Sequence, residues 1–183
     1  MTHEPRDDLA HSGMGNNWLW GKWAPTALAV AASTLVLDQV NKLWFLIGWG
    51  IRDLGPIEVT PFLNIVYTLN TGVSYSMLNS PSYSWQLGLA AFAMTASAAL
   101  WIWLARAGES RAMAWGIGLI IGGAIGNAID RLWLGGVADF YQLHAFGHSW
   151  YIFNIADVGI VAGVMLLLYD SFAPSRKGAA NPG

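Results

Sequence analysis

The sequence predicts an all-α polytopic membrane protein, with four transmembrane helices and a small β-structured element on the outer side. Three observations carry this. Only 11% of the 183 residues are charged while 55% are hydrophobic, and the mean hydropathy is +0.42, whereas a soluble domain carries roughly 25% charged residues. Eleven tryptophans suit a chain that meets the boundary between water and lipid, where amphipathic rings collect. Finally, four mostly apolar segments, near 24–47, 85–104, 112–130 and 152–170, reach the roughly 20 residues needed to cross about 30 Å of hydrocarbon.

The elements follow in order within a single domain over 1–183. Residues 1–22 read as a polar cytoplasmic tail. The first helix, "APTALAVAASTLVLDQVNKLWFLI", holds Asp38 and Lys42; its apolar part before Asp38 is too short to span alone, so the helix carries its charges inside. A cleaved signal peptide is the weaker reading, because Glu4, Asp7 and Asp8 stand against Arg6 and Lys22 ahead of the apolar run, a poor basic leader. The 48–84 connection has β-branched runs at 57–60 and 65–68 between Gly and Pro punctuation, which predicts a small β element at the membrane surface. In the third helix, "GIGLIIGGAIGN" follows no strand, and Gly118, Gly122 and Gly126 recur at every fourth position; that is a packing stripe rather than a phosphate loop. Residues 131–151 are expected to form a loop containing Asp139, and 173–183 a C-terminal tail.

Lys and Arg set the expected orientation. With both termini cytoplasmic, Arg6, Lys22, Arg106, Arg111, Arg176 and Lys177 lie inside, while Arg52, Lys42 and Arg131 lie outside or near outer helix ends. The excess of basic residues belongs on the cytoplasmic side, so both long connections face outward. A net charge of −2 with no long basic run argues against a nucleic-acid partner. The absence of cysteine excludes disulfides, thiolate metal sites and a cysteine nucleophile. His144 and His148 lack the HExxH pattern of a metal helix and read as loop residues.

Polar groups from three helices converge at one depth. Asp38 lies roughly 21 Å along the first helix and Asp157 roughly 8 Å inside the fourth, while Asn127, Asp130 and Arg131 end the third. A charge at mid-bilayer costs about 2.5–3.5 kcal/mol or more, so this cluster needs partners, water or a function. Asp38 and Lys42 have the spacing of an intrahelical pair; Asp130 and Arg131, as neighbours, do not face each other and need partners elsewhere. Asp139 and Asp157 have no basic residue within four positions. Two carboxylates held close in a low dielectric share one proton and can activate water against a carbonyl; a proton relay or ion site is the competing reading.

Four ordered motifs then resemble the type II, or lipoprotein, signal peptidases of bacteria: "DQVNK" at 38–42, "NTGVSYSML" at 70–78, "GGAIGNAIDRLWLGGVADF" at 122–140 and "FNIAD" at 153–157. The chain departs from the family pattern at Ser74 and Tyr75, where a small residue and Phe are usual. The resemblance implies an inner-membrane aspartic endopeptidase with Asp139 and Asp157 as catalytic pair. It implies substrate-binding or scaffold roles for Asn127, Arg131, Asn154, Asn70, Gly72, Asp130, Asp38 and Lys42. It also implies a diacylglyceryl-modified prolipoprotein as substrate, cut before the lipidated cysteine at the periplasmic face. No metal or organic cofactor is expected, membrane lipids are the surroundings, and the expected state is a monomer. Against this reading stand a proton- or ion-coupled transporter, which would show inverted repeats and interrupted helices that are not found, and a noncatalytic assembly factor, which needs no acid pair.

Overall fold

The computed structural model describes residues 18–72 and 80–172. Four helices, α1 (Ala24–Leu43), α2 (Tyr83–Ala107), α3 (Arg111–Leu134) and α4 (Ile155–Phe172), are each long and apolar enough to cross a membrane. Four strands, β1 (Ile57–Thr60), β2 (Leu63–Asn70), β3 (Val137–Ala145) and β4 (His148–Phe153), form one antiparallel sheet in sequence order. The chain is therefore a membrane bundle carrying a small sheet at one end.

Helix α3 is the centre of the bundle. Its glycines at 118, 122 and 126 face α1: a Cβ on Gly118 would lie 2.7 Å from the Ala27 carbonyl oxygen, and one on Gly122 would lie 2.5 Å from that of Ala31. Gly116, on another face, meets Leu167 and the Gly163 carbonyl of α4. Backbones approach this closely only where side chains are missing, and in lipid such contact supplies the association energy that hydrophobic burial cannot. An apolar cluster of Ala27, Ala31, Leu104, Met113, Ala114, Ile117 and Ile121 fills the remaining space between α1, α2 and α3.

The far end, around the 105–111 connection, is closed by polar contacts. Ser110 caps α3 by accepting from the Met113 N–H and donates to Asp170 of α4 at 2.7 Å. Of the polar tail expected over residues 1–22, residues 1–17 lie outside the described residues, as does the tail expected over 173–183. Residues 18–22 are docked: Trp101 Nε1 donates to the Leu19 carbonyl, Trp20 packs on Trp101 at 6.0 Å, and Arg106 lies over the Trp18 ring. Their aromatic content, not their charge, decides their placement.

At the other end, α1 widens into one π-turn over Trp44–Gly48. Phe45 stacks on Phe140 of β3 at 4.8 Å between centroids, within a cluster that also contains Ile51, Ile65 and Ala138. This cluster seats the sheet on the bundle. Helix α3 runs four residues beyond the expected 130 and stops at Gly135, which takes the left-handed conformation at φ +77° as helix-terminating glycines do. The segment after it is a strand, not the expected loop: β3 and β4 form a hairpin turning at Phe146 and Gly147, both at positive φ. Ile152 and Phe153, expected to begin the fourth helix, belong to β4.

Gly122→Ala is expected to force α1 and α3 apart, because the new methyl meets backbone and the Thr34 Cβ; overpacking of this kind costs about 1–3 kcal/mol. Gly88→Ala, with nothing within 4 Å, serves as control. Thermal unfolding of the detergent-purified protein should show a lowered midpoint for the first variant and none for the second.

Candidate active site

The site is built around Lys42, which is 1% exposed. An ammonium has three donors, and all three are used here. Nζ lies 2.8 Å from Asp38 Oδ2 and 2.7 Å from Asp130 Oδ2, and donates to Asn127 Oδ1 at 3.2 Å. The expected Asp38–Lys42 pair is thus one of the two ion pairs of a buried triad joining α1 to α3.

Each carboxylate of the triad also holds a backbone group. Asp38 Oδ1 accepts from the Ala156 N–H at 2.9 Å, satisfying a donor in the first turn of α4, where helices leave amides unpaired. Asp130 Oδ2 accepts from the Ala138 N–H at 3.1 Å, tying the start of β3 back to α3. Gln39 donates to Asp38, Asp130 and the Gly126 carbonyl. A single cluster therefore fixes the beginnings of both elements that carry the acid pair.

The stretch "FNIAD" forms a reciprocal helix cap. Asn154 Oδ1 accepts from the Asp157 N–H at 2.9 Å, and Asp157 Oδ2 accepts from the Asn154 N–H at 3.3 Å, which is the geometry of a capping box with Asn and Asp in its two places. Asp157 accordingly lies in the first turn of α4, closer to the helix start than the sequence placed it. The amide of Asn154 still has donors to spare: Nδ2 gives one to Asp139 Oδ1 at 2.6 Å and one to Asn127 Oδ1 at 3.2 Å. Asn154 so links the two acids directly. Asn127 Nδ2 donates to Asp157 Oδ1 at 2.9 Å, connecting that acid to Lys42 through one amide.

Asp139, on β3, is only 2% exposed. It sits opposite Thr68 of β2, and Asn70 Nδ2 reaches its Oδ2 at 3.3 Å. Burial pushes its pKa up to about 7, the nearby charge of Asp157 adds to the rise, and hydrogen bonds from Asn154 and Asn70 hold it back. The pair thus retains a proton into the neutral range. Asn70 Oδ1 also accepts from the Gly72 N–H, and the Gly72 carbonyl accepts from Arg131 Nη2 at 3.3 Å. Arg131 does not pair with its neighbour Asp130; its Nη1 donates to the Asn127 carbonyl.

All ten expected site residues meet at this end of the bundle. Half-buried Asp157 opens on a cleft of about 300 Å³ lined by Leu89 and Phe92 of α2, Ile120 and Ala124 of α3, and Ile160 of α4, with Asn70, Asn127, Arg131 and Tyr151 at its polar side. A second hollow, almost wholly apolar, meets Asp157 from the side of Tyr151, Phe153, Val158 and Val161. The site thus sets one acid, Asp157, at the meeting of two apolar hollows, with the second, Asp139, joined to it through Asn154. His144 and His148 stand in the hairpin, away from these contacts; among the described residues, no group of three His, Asp or Glu could hold a metal. Gln39, Gln86 and the Asn41–Tyr141 bond of 2.8 Å were not singled out from the sequence, although any amide inside an apolar helix is itself a signal.

Comparison with known proteins follows the geometry. The profile of the family described as signal peptidase (SPase) II matches residues 30–173. The chain is similar to a lipoprotein signal peptidase of Methylocella silvestris, at 48% identity over 84% of this chain and 89% of that one. It is also similar to one of Rhodopseudomonas palustris, at 50% identity over 80% and 93%. Among solved structures it resembles a bacterial membrane enzyme determined by the in meso method at 2.3 Å, with TM-score 0.68, 27% identity, and coverage of 87% of this chain and 94% of that one.

Lys42→Met is expected to leave Asp38 and Asp130 unpaired in the interior, and removing one partner of a buried pair costs about 3–5 kcal/mol. Unfolding midpoints should fall accordingly. The triple variant Asp38→Asn, Lys42→Met, Asp130→Asn should recover part of the loss, because no bare charge remains.

Proposed function

The chain belongs to the signal peptidase II family, and from that premise we propose that it removes the signal peptide from diacylglyceryl-modified prolipoproteins, cutting before the lipidated cysteine with Asp139 and Asp157. The observation that carries this reading is the bridging of the two acids by Asn154, at the wall of a lateral apolar cleft.

The chemistry follows from one proton held between two acids. The ionised carboxylate takes a proton from water while the protonated one gives its own to the scissile carbonyl oxygen, and the new C–O bond forms a neutral tetrahedral diol. Collapse breaks the C–N bond. The carboxyl that gained the water's proton delivers it to the departing amine, and the other regains a proton from the diol. Asn127 and Asn154 orient the acids from behind. Arg131 spends two donors on carbonyls of the protein, and its planar fork has more; these, with Asn70, hold the peptide carbonyls next to the scissile bond. Holding the reacting groups in place supplies much of the rate.

The position of the acids selects the substrate. They lie at the α1 C-terminal, α3 C-terminal and α4 N-terminal ends, opposite the 105–111 connection with Arg106 and Arg111. Basic residues favour the cytoplasm, so both termini lie inside and the acids face the periplasm at outer-leaflet depth. There an acylated cysteine arrives by lateral movement, its chains in one groove and its signal segment in the other. The enzyme is a monomer of one domain, surrounded by lipid, and needs no cofactor.

Asp139→Asn and Asp157→Asn should each abolish cleavage of a purified lipidated precursor while leaving the protein folded, since an amide accepts hydrogen bonds but cannot exchange the proton. The wild-type rate should fall on the alkaline side once the pair loses its shared proton, with a limb near or above pH 7, as the raised Asp139 pKa requires. Normal turnover by either variant would overturn the assignment.

Topology is tested with single cysteines in a chain that has none. Exposed Ser149→Cys, on β4, should react with an impermeant thiol reagent outside sealed spheroplasts, and exposed Ala107→Cys should react only after permeabilisation. The reverse pattern would place the acids toward the cytoplasm and remove the functional reading with them.

A further inference from the structure

Helix α2 is mostly lipid-facing; its buried residues are Gln86, Ala90, Ser97 and Leu104, one stripe at helical spacing toward α3. Three of them are small or apolar. The fourth, Gln86, is fully buried at 0% exposure, in the first turn, where burial of an amide carries a desolvation cost unless it is bonded. Its bonds are specific and short: Nε2 donates to the Thr71 carbonyl at 2.6 Å and to the Ser80 carbonyl at 2.8 Å. Both hydrogens of one NH₂ group thus go to carbonyls on opposite sides of the β2–α2 connection.

Thr71 stands between the two residues by which this connection meets the site. On one side Asn70 donates to Asp139 and accepts from the Gly72 N–H; on the other, the Gly72 carbonyl receives Arg131. We infer that Gln86 is a positioning residue for the cleavage reaction: by fixing the Thr71 carbonyl it sets Asn70 against Asp139 and Gly72 against Arg131. It touches neither acid. The inference rests on the proposed function and names a residue of that same site.

Removing the Gln86 donors loosens the Asn70 bond that holds the Asp139 pKa down. The charged groups facing Asp139 are Asp157 from α4, Lys42 from α1 and Arg131 from α3; Gln86 hydrogen-bonds to none of them, so the effect passes through Asn70 and Gly72. The sign follows: a weaker bond to the carboxylate lets its pKa rise, and the alkaline limb of the rate profile moves to higher pH.

The test uses Gln86→Met, of similar length without donors, in the full-length protein in detergent with a synthetic lipidated precursor. Turnover per folded enzyme should fall roughly ten- to hundredfold, as loss of positioning does, and the alkaline limb should move upward. Asn70→Ser should move the limb in the same direction, and adding Gln86→Met to it should change little further. A lower yield of folded protein alone would move no limb. Wild-type turnover and an unmoved limb in Gln86→Met, or full additivity with Asn70→Ser, would overturn the inference. An inactive Asp139→Asn in the same assay shows that the dyad reading stands when this inference fails; an active one would sink the dyad itself.

Discussion

One ammonium group, that of Lys42, holds together the elements on which the acids stand. In lipid there is no water to accept an unpaired charge, and each carboxylate buried near it would otherwise be costly. Lys42 meets Asp38 from its own helix, Asp130 from α3 and the amide of Asn127, and the two carboxylates pass the constraint to the backbone of α4 at Ala156 and of β3 at Ala138. The starts of α4 and β3 are where Asp157 and Asp139 sit. Helices α1 and α3 can support this triad only because Gly118, Gly122 and Gly126 let them come close; a Cβ on Gly126 would lie 2.5 Å from Asp38 Oδ2. Packing and electrostatics here are one arrangement.

The charge balance of the cluster explains why a proton is retained. Four acids, Asp38, Asp130, Asp139 and Asp157, face two bases, Lys42 and Arg131. Lys42 is committed to the two structural acids, so the charge of the remaining pair is met by Arg131 and by a proton, while amides supply hydrogen bonds. Burial, with the neighbouring Asp157 charge, outweighs the amide donors of Asn154 and Asn70 and pushes the Asp139 pKa up to about 7. The same economy gives each asparagine two duties: Asn154 caps α4 while bridging the acids, and Asn127 connects Lys42 to Asp157.

How much of this was legible in the sequence depends on how local each interaction is. The four spans, the i and i+4 spacing of Asp38 and Lys42, and the glycine stripe are periodic features of single helices, and the four-helix architecture with its sheet agrees with them. Asp130 as second partner of Lys42 is a contact between α1 and α3 that no spacing encodes. The β3–β4 hairpin was hidden for a different reason. Its turn places Phe146 at φ +52°, where Asn, Asp or Gly is the usual signal, so the segment reads as a loop. With that hairpin unread, Phe153 fell inside the fourth helix and Asp157 seemed deeper than its first-turn position. Gln86 was passed over because its partners are two carbonyls, which have no sequence signature.

The two acids come from unlike elements, and that difference bears on the proposed mechanism. Asp157 is fixed by the reciprocal cap at the start of α4; Asp139 is fixed in strand β3, opposite Thr68 of β2 and bonded to Asn154. Asn154 joins the two, its backbone N–H bonded to Asp157 and its side-chain amide to Asp139, so in the proposed mechanism the shared proton belongs to the pair rather than to either residue. A lipid-bound precursor moving along the cleft would then meet the pair through Asp157, which lines that cleft. Both carboxyls are thereby set in place by the fold before any substrate contact is made.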